Sequence, residues 1–138
     1  MKTFEIPGAP VGKARPKFTS VNGFARAYTP KKTQSYENLV KLFYTMKYGN
    51  KAPSPNPISV AIVAYFQVPA SSTKKFKEMC AAGNVPVTKK PDADNIAKII
   101  CDSLNEIAFK DDSQIFDLSC KKLYSENPRT EVVIRELS

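Results

Sequence analysis

The chain has no histidine. That excludes imidazole zinc sites, histidine-based triads and the commonest general base. Any metal bound here must be held mainly by oxygen, which suits Mg²⁺, with Mn²⁺ able to substitute. Cysteine is scarce. Cys80, Cys101 and Cys120 are widely spaced, odd in number and without a CxxC pair, so they read as buried, reduced thiols of a cytosolic protein. No window of about 18 apolar residues occurs, and the N-terminus carries no signal-peptide pattern. Acidic residues are few: 13 against 21 Lys and Arg, for a net charge of +8. An excess of that size favours an anionic partner, either nucleic acid or a membrane surface.

What is present is enough for a globular fold. Hydrophobic residues make up 42% of 138 residues, so the chain buries roughly two-thirds of its unfolded surface without a disulfide or metal staple. Residues 1–138 are expected to form one domain. Lys2 to Ile6 reads as a first strand. Asn22-Gly23 is a turn signal, possible as a hairpin. Thr29-Pro30 suggests an N-cap and first helical residue, and Tyr36, Leu39, Val40 and Phe43 recur at helical spacing behind it, predicting a helix over 30–48. Residues 51–57 form a proline-rich connector. Ile58 to Val68 predicts a strand apolar on both faces. Ser71-Ser72 can cap a short helix ending near Gly83. A helix is expected from about Asp94 to Ala108, and strands over 115–124 and 130–137. The order is an α+β pattern, and it does not encode strand order.

The densest chemistry lies in Lys89-Lys90-Pro91-Asp92-Ala93-Asp94-Asn95-Ile96-Ala97-Lys98, followed by Lys110-Asp111-Asp112. A small acidic cluster in a basic protein repels the phosphates that the rest attracts, unless a cation sits there. Two readings are open. In the first, Asp92 and Asp94 simply cap a helix and complement its dipole. In the second they are metal ligands. Ile96, Ile99, Ile100, Leu104 and Ile107 form an apolar stripe, while Asp94, Lys98, Asp102 and Asn105 form a polar ridge at i, i+4, i+8 and i+11. Asp92 converges with Asp94 only from just outside the first turn, where Pro91 sets a boundary. Asp111-Asp112, opening the next strand, completes an open oxygen-ligand site. Lys98 is either a solvated partner of Asp102 or a group that stabilises charge on a reacting phosphate.

A second feature is a basic arm. Lys13, Arg15, Lys17, Arg26, Lys31 and Lys32 fall in twenty residues without an acid, interleaved with Phe18, Phe24 and Tyr28. It reads either as a solvated surface or as a phosphate-contacting segment, to which Lys89 and Lys90 add. The aromatics either stack on unpaired bases or anchor the loop to the core; anchoring is the expectation. Lys74, Lys75 and Lys77 extend the same field.

The run Lys90 to Asn95 through Lys98, then Asp102-Ser103-Leu104-Asn105, then Asp111-Asp112-Ser113-Gln114-Ile115, resembles the RusA family of Holliday-junction resolvases. Gly12-Lys13-Ala14-Arg15-Pro16-Lys17 and Tyr28-Thr29-Pro30-Lys31-Lys32-Thr33 resemble segments of its phage-associated branch. The resemblance spans nearly the whole chain. It implies a compact α+β domain with a mixed sheet packed by helices. The implied activity is that of a homodimeric, Mg²⁺-dependent endonuclease making paired nicks in four-way DNA junctions. It implies Asp92, Asp94 and Asp112 as metal-binding catalytic aspartates, Asp111 as an accompanying acid counted with them at the metal, and Lys98 as the catalytic lysine. No small-molecule cofactor or membrane partner is implied, and the setting is the cytoplasm of a bacterium or phage-infected cell. Two departures stand out: residues 71–87 are longer than in compact members, and the Lys-Arg run ahead of the acids is reduced to Lys89-Lys90. A silent branched-DNA-binding protein of the same fold, or an Mg²⁺ nuclease acting on flaps or single strands, are the alternatives.

Overall fold

A computed structural model describes all residues of the chain, the side chain of Val21 excepted. Strands β1 (Lys2–Pro7), β2 (Lys17–Val21) and β3 (Phe24–Tyr28) precede helix α1 (Lys31–Tyr48) and strand β4 (Ile58–Gln67). Helices α2 (Lys74–Ala81) and α3 (Ala93–Leu104) follow, then strands β5 (Ile115–Ser125) and β6 (Arg129–Glu136). The architecture is α+β, with a four-stranded sheet in the order β1-β6-β4-β5 and a separate β2-β3 hairpin. The sheet is mixed: β4 pairs antiparallel with β6 and parallel with β5. A parallel pair needs a crossover. Residues 68–114 supply it, and they contain α2, α3 and every candidate acid.

Strand β4 is central. Ile58, Val60, Ile62, Ala64 and Phe66 are buried, while the alternate residues Ser59 to Tyr65 are half-buried. The strand expected to be covered on both sides is therefore fully covered on one face only. The α1 and α3 helices pack there. Helix α3 buries Ile96, Ile99, Ile100 and Leu104, and α1 buries Tyr36, Val40 and Tyr44. The Tyr36 hydroxyl donates to Thr130 Oγ1 at 3.2 Å, so this buried polar tip is satisfied.

Several boundaries differ from the sequence expectation. Pro30 itself occupies the N-cap of α1 and offers no side-chain oxygen. Thr73, not Ser71 or Ser72, caps α2, with Oγ1 accepting from the Phe76 N–H at 3.2 Å. Helix α3 stops at Leu104 rather than Ala108, because the chain closes a turn in which Glu106 N–H donates to the Phe109 carbonyl at 2.7 Å. Glu106 takes φ 66° there. Residues 112–114 form a 3₁₀ turn, so β5 opens at Ile115 rather than at the acid pair.

Candidate active site

Asp92 is the N-cap residue of α3 and Asp94 lies in its first turn. The Asp92 side chain makes no capping hydrogen bond, so the capping role open to it in sequence is not one it performs. Asp94, Lys98 and Asp102 follow one another along α3 at the i, i+4 spacing, and all three line an open cleft of about 340 Å³. Asp112, from the turn before β5, lines the same cleft, as does Asp117 from β5 itself. Asp92 lies apart from them. It lines a neighbouring cleft of about 490 Å³ with Lys13, Lys17, Lys32, Lys90 and Asn95. The α3 entrance thus separates an acidic cleft carrying one lysine from a basic cleft carrying one acid.

Two local devices build this arrangement. The first turns the acid pair. Asp111 caps the 3₁₀ turn: its Oδ2 accepts from Ser113 N–H at 3.1 Å, and its own N–H donates to Gln114 Oε1 at 2.8 Å. This reciprocal pair is a capping box. Hydrogen bonds from Ser113 hold the Asp111 carboxyl below its ordinary range. Asp111 is not among the cleft-lining residues, whereas Asp112 is. Gln114 Nε2 donates to the carbonyls of Ser54 and Asn56, both at 2.8 Å. Ser54 and Asn56 in turn donate to Glu136 Oε1 at 2.5 and 2.6 Å. The turn that presents Asp112 is therefore tied through the connector to β6. Immediately after it the β4–β5 register shifts at Phe116, a bulge of the kind that re-aims side chains beside a site.

The second device docks the N-terminal loop on α3. Lys13 N–H donates to the Asn95 carbonyl at 2.9 Å. At Gly12 a Cβ would stand 2.8 Å from Pro91 Cβ and 3.1 Å from Asn95 Cβ, so only glycine permits that approach. The docking delivers the Lys13 ammonium into an ion cluster, 3.1 Å from Glu37 Oε2 and 3.3 Å from Asp102 Oδ2. Asp102 Oδ2 also lies 3.5 Å from Lys98 Nζ. Burial pulls the Lys13 pKa down, but the hydrogen bonds and charges of Glu37 and Asp102 outweigh it and hold the ammonium above its ordinary value.

The predicted phosphate contacts consequently divide. Lys13 is engaged inside the protein, its side chain only 20% exposed. Lys17, Lys32 and Lys90 line the basic cleft, and Arg15, Arg26 and Lys31 are exposed. Lys89 lies over the Tyr124 ring, 5.7 Å from its centroid. The aromatics expected to anchor the arm do not: Phe18, Phe24 and Tyr28 are 73%, 75% and 47% exposed. Sequence reasoning misses two residues of the acidic cleft as candidate ligands. Spacing pairs Asp102 with Lys98 and says no more of it, and Asp117 carries one signal, an acid inside the apolar run Ile115 to Leu118.

The donor set matches a hard divalent cation in chemistry, being carboxylate oxygen throughout. Among the described residues, however, no three acidic or cysteine side chains converge as they stand into a metal-holding group. Thiolate chemistry is not on offer either, since burial pushes Cys101, on the cleft wall, up to about 12.

Residues 7–135 match the family model described as Endodeoxyribonuclease RusA. The chain belongs to the RusA family. A relative in Bacillus subtilis (strain 168), named "Uncharacterized protein YqaN", is 37% identical over 137 residues, spanning 98% of this chain and 96% of its own length. The RusA match contains both clefts, the hairpin and the Lys13 cluster, and the α+β architecture is consistent with a RusA fold. No helix here is long and apolar enough to cross a membrane.

Proposed function

We propose that this RusA-family chain acts as one domain: a Mg²⁺-dependent, structure-selective endodeoxyribonuclease that resolves four-way junctions by paired nicks, as a homodimer in the cytoplasm. The observation that carries this reading is the meeting of Asp94, Asp112 and Lys98 in one cleft, beside a basic cleft that carries Asp92. Asp92, Asp94 and Asp112 are the ligands; all three are exposed, so their side chains are free to turn in on a cation. A bound Mg²⁺ would supply Lewis acidity toward the scissile phosphate and toward water. Lys98, 61% exposed and held by Asp102, offers an ammonium to the charge that develops on that phosphate. Lys17, Lys32 and Lys90 hold the adjoining backbone, with Arg15, Arg26, Lys31 and Lys89 as further phosphate contacts. Asp111 supports the turn that presents Asp112, its Oδ2 held by the Ser113 N–H in the capping box.

The test is incubation with a labelled four-way junction, a flap, a single strand and a linear duplex, in Mg²⁺ and in chelator. Paired symmetric nicks in the junction alone, dependent on Mg²⁺, are expected. Equal cutting of flaps or single strands would replace junction resolution with simpler nuclease action. Binding without cutting in Mg²⁺ or Mn²⁺ would leave a silent DNA-binding protein.

A further inference from the structure

The β2–β3 hairpin is the most exposed element of the molecule. Its strands pair only with each other, and every described side chain from Lys17 to Tyr28 is exposed. Three of those side chains are aromatic. Aromatic rings dominate core energetics when they can be buried, so three left in water on one short arm call for a partner.

The register shows what that partner meets. Lys17 stands opposite Tyr28, and Thr19 opposite Arg26. Side chains of directly opposed residues share a face, and alternate residues return to it. One face therefore carries Lys17, Tyr28, Arg26 and Phe24, aromatic and cation alternating from base to tip. The other face carries Phe18, Ser20, Ala25 and Ala27. Among the described residues neither Lys17 nor Arg26 has an acidic partner within salt-bridge distance. Asn22 (φ 52°) and Gly23 (φ 81°) close the tip with both residues at positive φ, the geometry of a tight primed turn that follows strand twist. Five residues a side give an arm of about 17 Å. Its base reaches the candidate site, because Lys17 lines the cleft that holds Asp92.

Charge selects the occupant. From Lys13 to Lys32 the chain holds six cations and no acid, so two copies of this face repel each other, while a polyanion is drawn in. Phosphates alone would require the cations but not the rings. Within a duplex the faces of the bases are covered by their neighbours. At a branch point the stack is broken and those faces are open.

We propose that the hairpin is a base-stacking arm: Phe24 and Tyr28 lie against bases left open at the centre of branched DNA, while Lys17 and Arg26 hold the flanking phosphates. This rests on the reading of DNA as substrate, but not on the hydrolytic chemistry, and it reverses the expectation that these rings anchor the loop.

The experiment uses the full chain in chelator, so that binding is read without cleavage. A four-way junction carrying 5-iodouracil at the branch is irradiated with the protein, alongside one labelled at the end of an arm and a linear duplex of matched length. Cross-links are mapped by peptide, and affinities are measured for Phe24→Ala/Tyr28→Ala and for Lys17→Ala/Arg26→Ala. Cross-linking to Phe24 or Tyr28 is expected from the branch label alone. The aromatic variant should lose about tenfold in junction affinity per stacked base, with duplex affinity unchanged. The cationic variant should weaken both and flatten the salt slope by about 0.9 for each phosphate it no longer neutralises. Unchanged junction affinity of the aromatic variant, equal loss on duplex, or conversion of a dimer to monomer would each overturn the arm. The last outcome would reassign the rings to a subunit interface. If the wild type cross-links as expected yet cuts nothing with Mg²⁺, the hydrolytic reading fails and the arm stands. If it cuts while the aromatic variant binds normally, the arm fails alone.

Discussion

At the residue scale, the acid pair that ends the motif divides its labour. Asp111 is consumed by hydrogen bonds to Ser113 and Gln114, while Asp112 faces the cleft. Asp94→Asn and Asp112→Asn, and Asp92→Asn beside them, are expected to abolish cleavage with junction binding intact or tighter. On the proposed reading, each removes a carboxylate ligand and a negative charge from a phosphate-facing surface. Gel assays of cutting and of binding, run on the same preparations, check this; a variant nicking at near wild-type rate is removed from the site. Asp111→Asn should retain most activity, because an amide oxygen still accepts from Ser113. The cleft shared by Asp94, Lys98 and Asp112 was legible in the spacing along one helix face and the return of the chain after it, although acids at a helix entrance commonly serve as caps. The division between Asp111 and Asp112 was legible too, since only one of two neighbouring acids can face a site, but the capping box that turns Asp111 aside was not. Lys13 illustrates the same limit. Its spacing within the basic arm suggests a phosphate contact, yet a buried pairing with residues 24 and 89 positions away claims it. Lys13→Ala should therefore leave Glu37 without its ion partner and Asp102 with Lys98 alone, and lower stability by about 1 kcal/mol. It should leave the salt slope of DNA binding nearly unchanged, unlike Lys17→Ala.

At the element scale, the decisive junction is the landing of residues 12–13 on the start of α3. Gly12→Ala places a methyl group against backbone-anchored Pro91 and Asn95. It should cost about 1–3 kcal/mol by overpacking, and should depress cleavage more than an equally destabilising change in the core, since it shifts the turn that carries Asp92. Denaturant unfolding run alongside cleavage rates separates the two effects. Periodicity made α1, α3 and the sheet strands readable: Tyr36 and Val40 of the α1 stripe and Ile96, Ile99, Ile100 and Leu104 of the α3 stripe are buried, Leu39, Phe43 and Ile107 are partly buried against them, and Tyr44 joins the core unforeseen. It failed where hydrogen bonding outside the helix set the boundary, as at Phe109, whose carbonyl draws Glu106 N–H into a turn and ends α3 early. In the arm the Asn22-Gly23 turn signal did mark a hairpin, but the expectation that its aromatics anchor to the core failed. Composition records that Phe18, Phe24 and Tyr28 are apolar, but only the hairpin register and the absence of a packing surface reveal that they stay in water.

At the scale of the whole molecule, the described residues form one acidic cleft per chain, so the proposed paired incision calls for two chains. A closed two-fold dimer is the commonest way to supply them. Light scattering should return a dimer at micromolar concentration. A cruciform plasmid, whose junction exists only while supercoiled, should be linearised within one binding event. A monomer that yields nicked circles would remove paired incision and leave the single-site chemistry intact. Stability should also follow pH through the clamp at the sheet's end. Hydrogen bonds from Ser54 and then Asn56 hold Glu136 below its ordinary range, as those from Ser113 hold Asp111. Groups depressed on folding contribute stability above their unfolded pKa and lose it as pH falls through the lowered value. Thermal unfolding should therefore weaken below about pH 4.5, and less steeply in Glu136→Gln.

The parallel pairing of β4 with β5 bears on when the protein becomes active. Asp94 and Lys98 ride on α3 within the crossover and Asp112 lies at its end, so the two walls of the acidic cleft face each other only when β5 docks beside β4. Closing so long a connection is entropically costly and belongs late in folding. During synthesis the earlier acids leave the ribosome before the strand that completes their cleft. A nascent chain ending before residue 115 thus holds most of the candidate machinery in an unassembled form. A chain built this way should complete its acidic cleft only once its last two strands have been made.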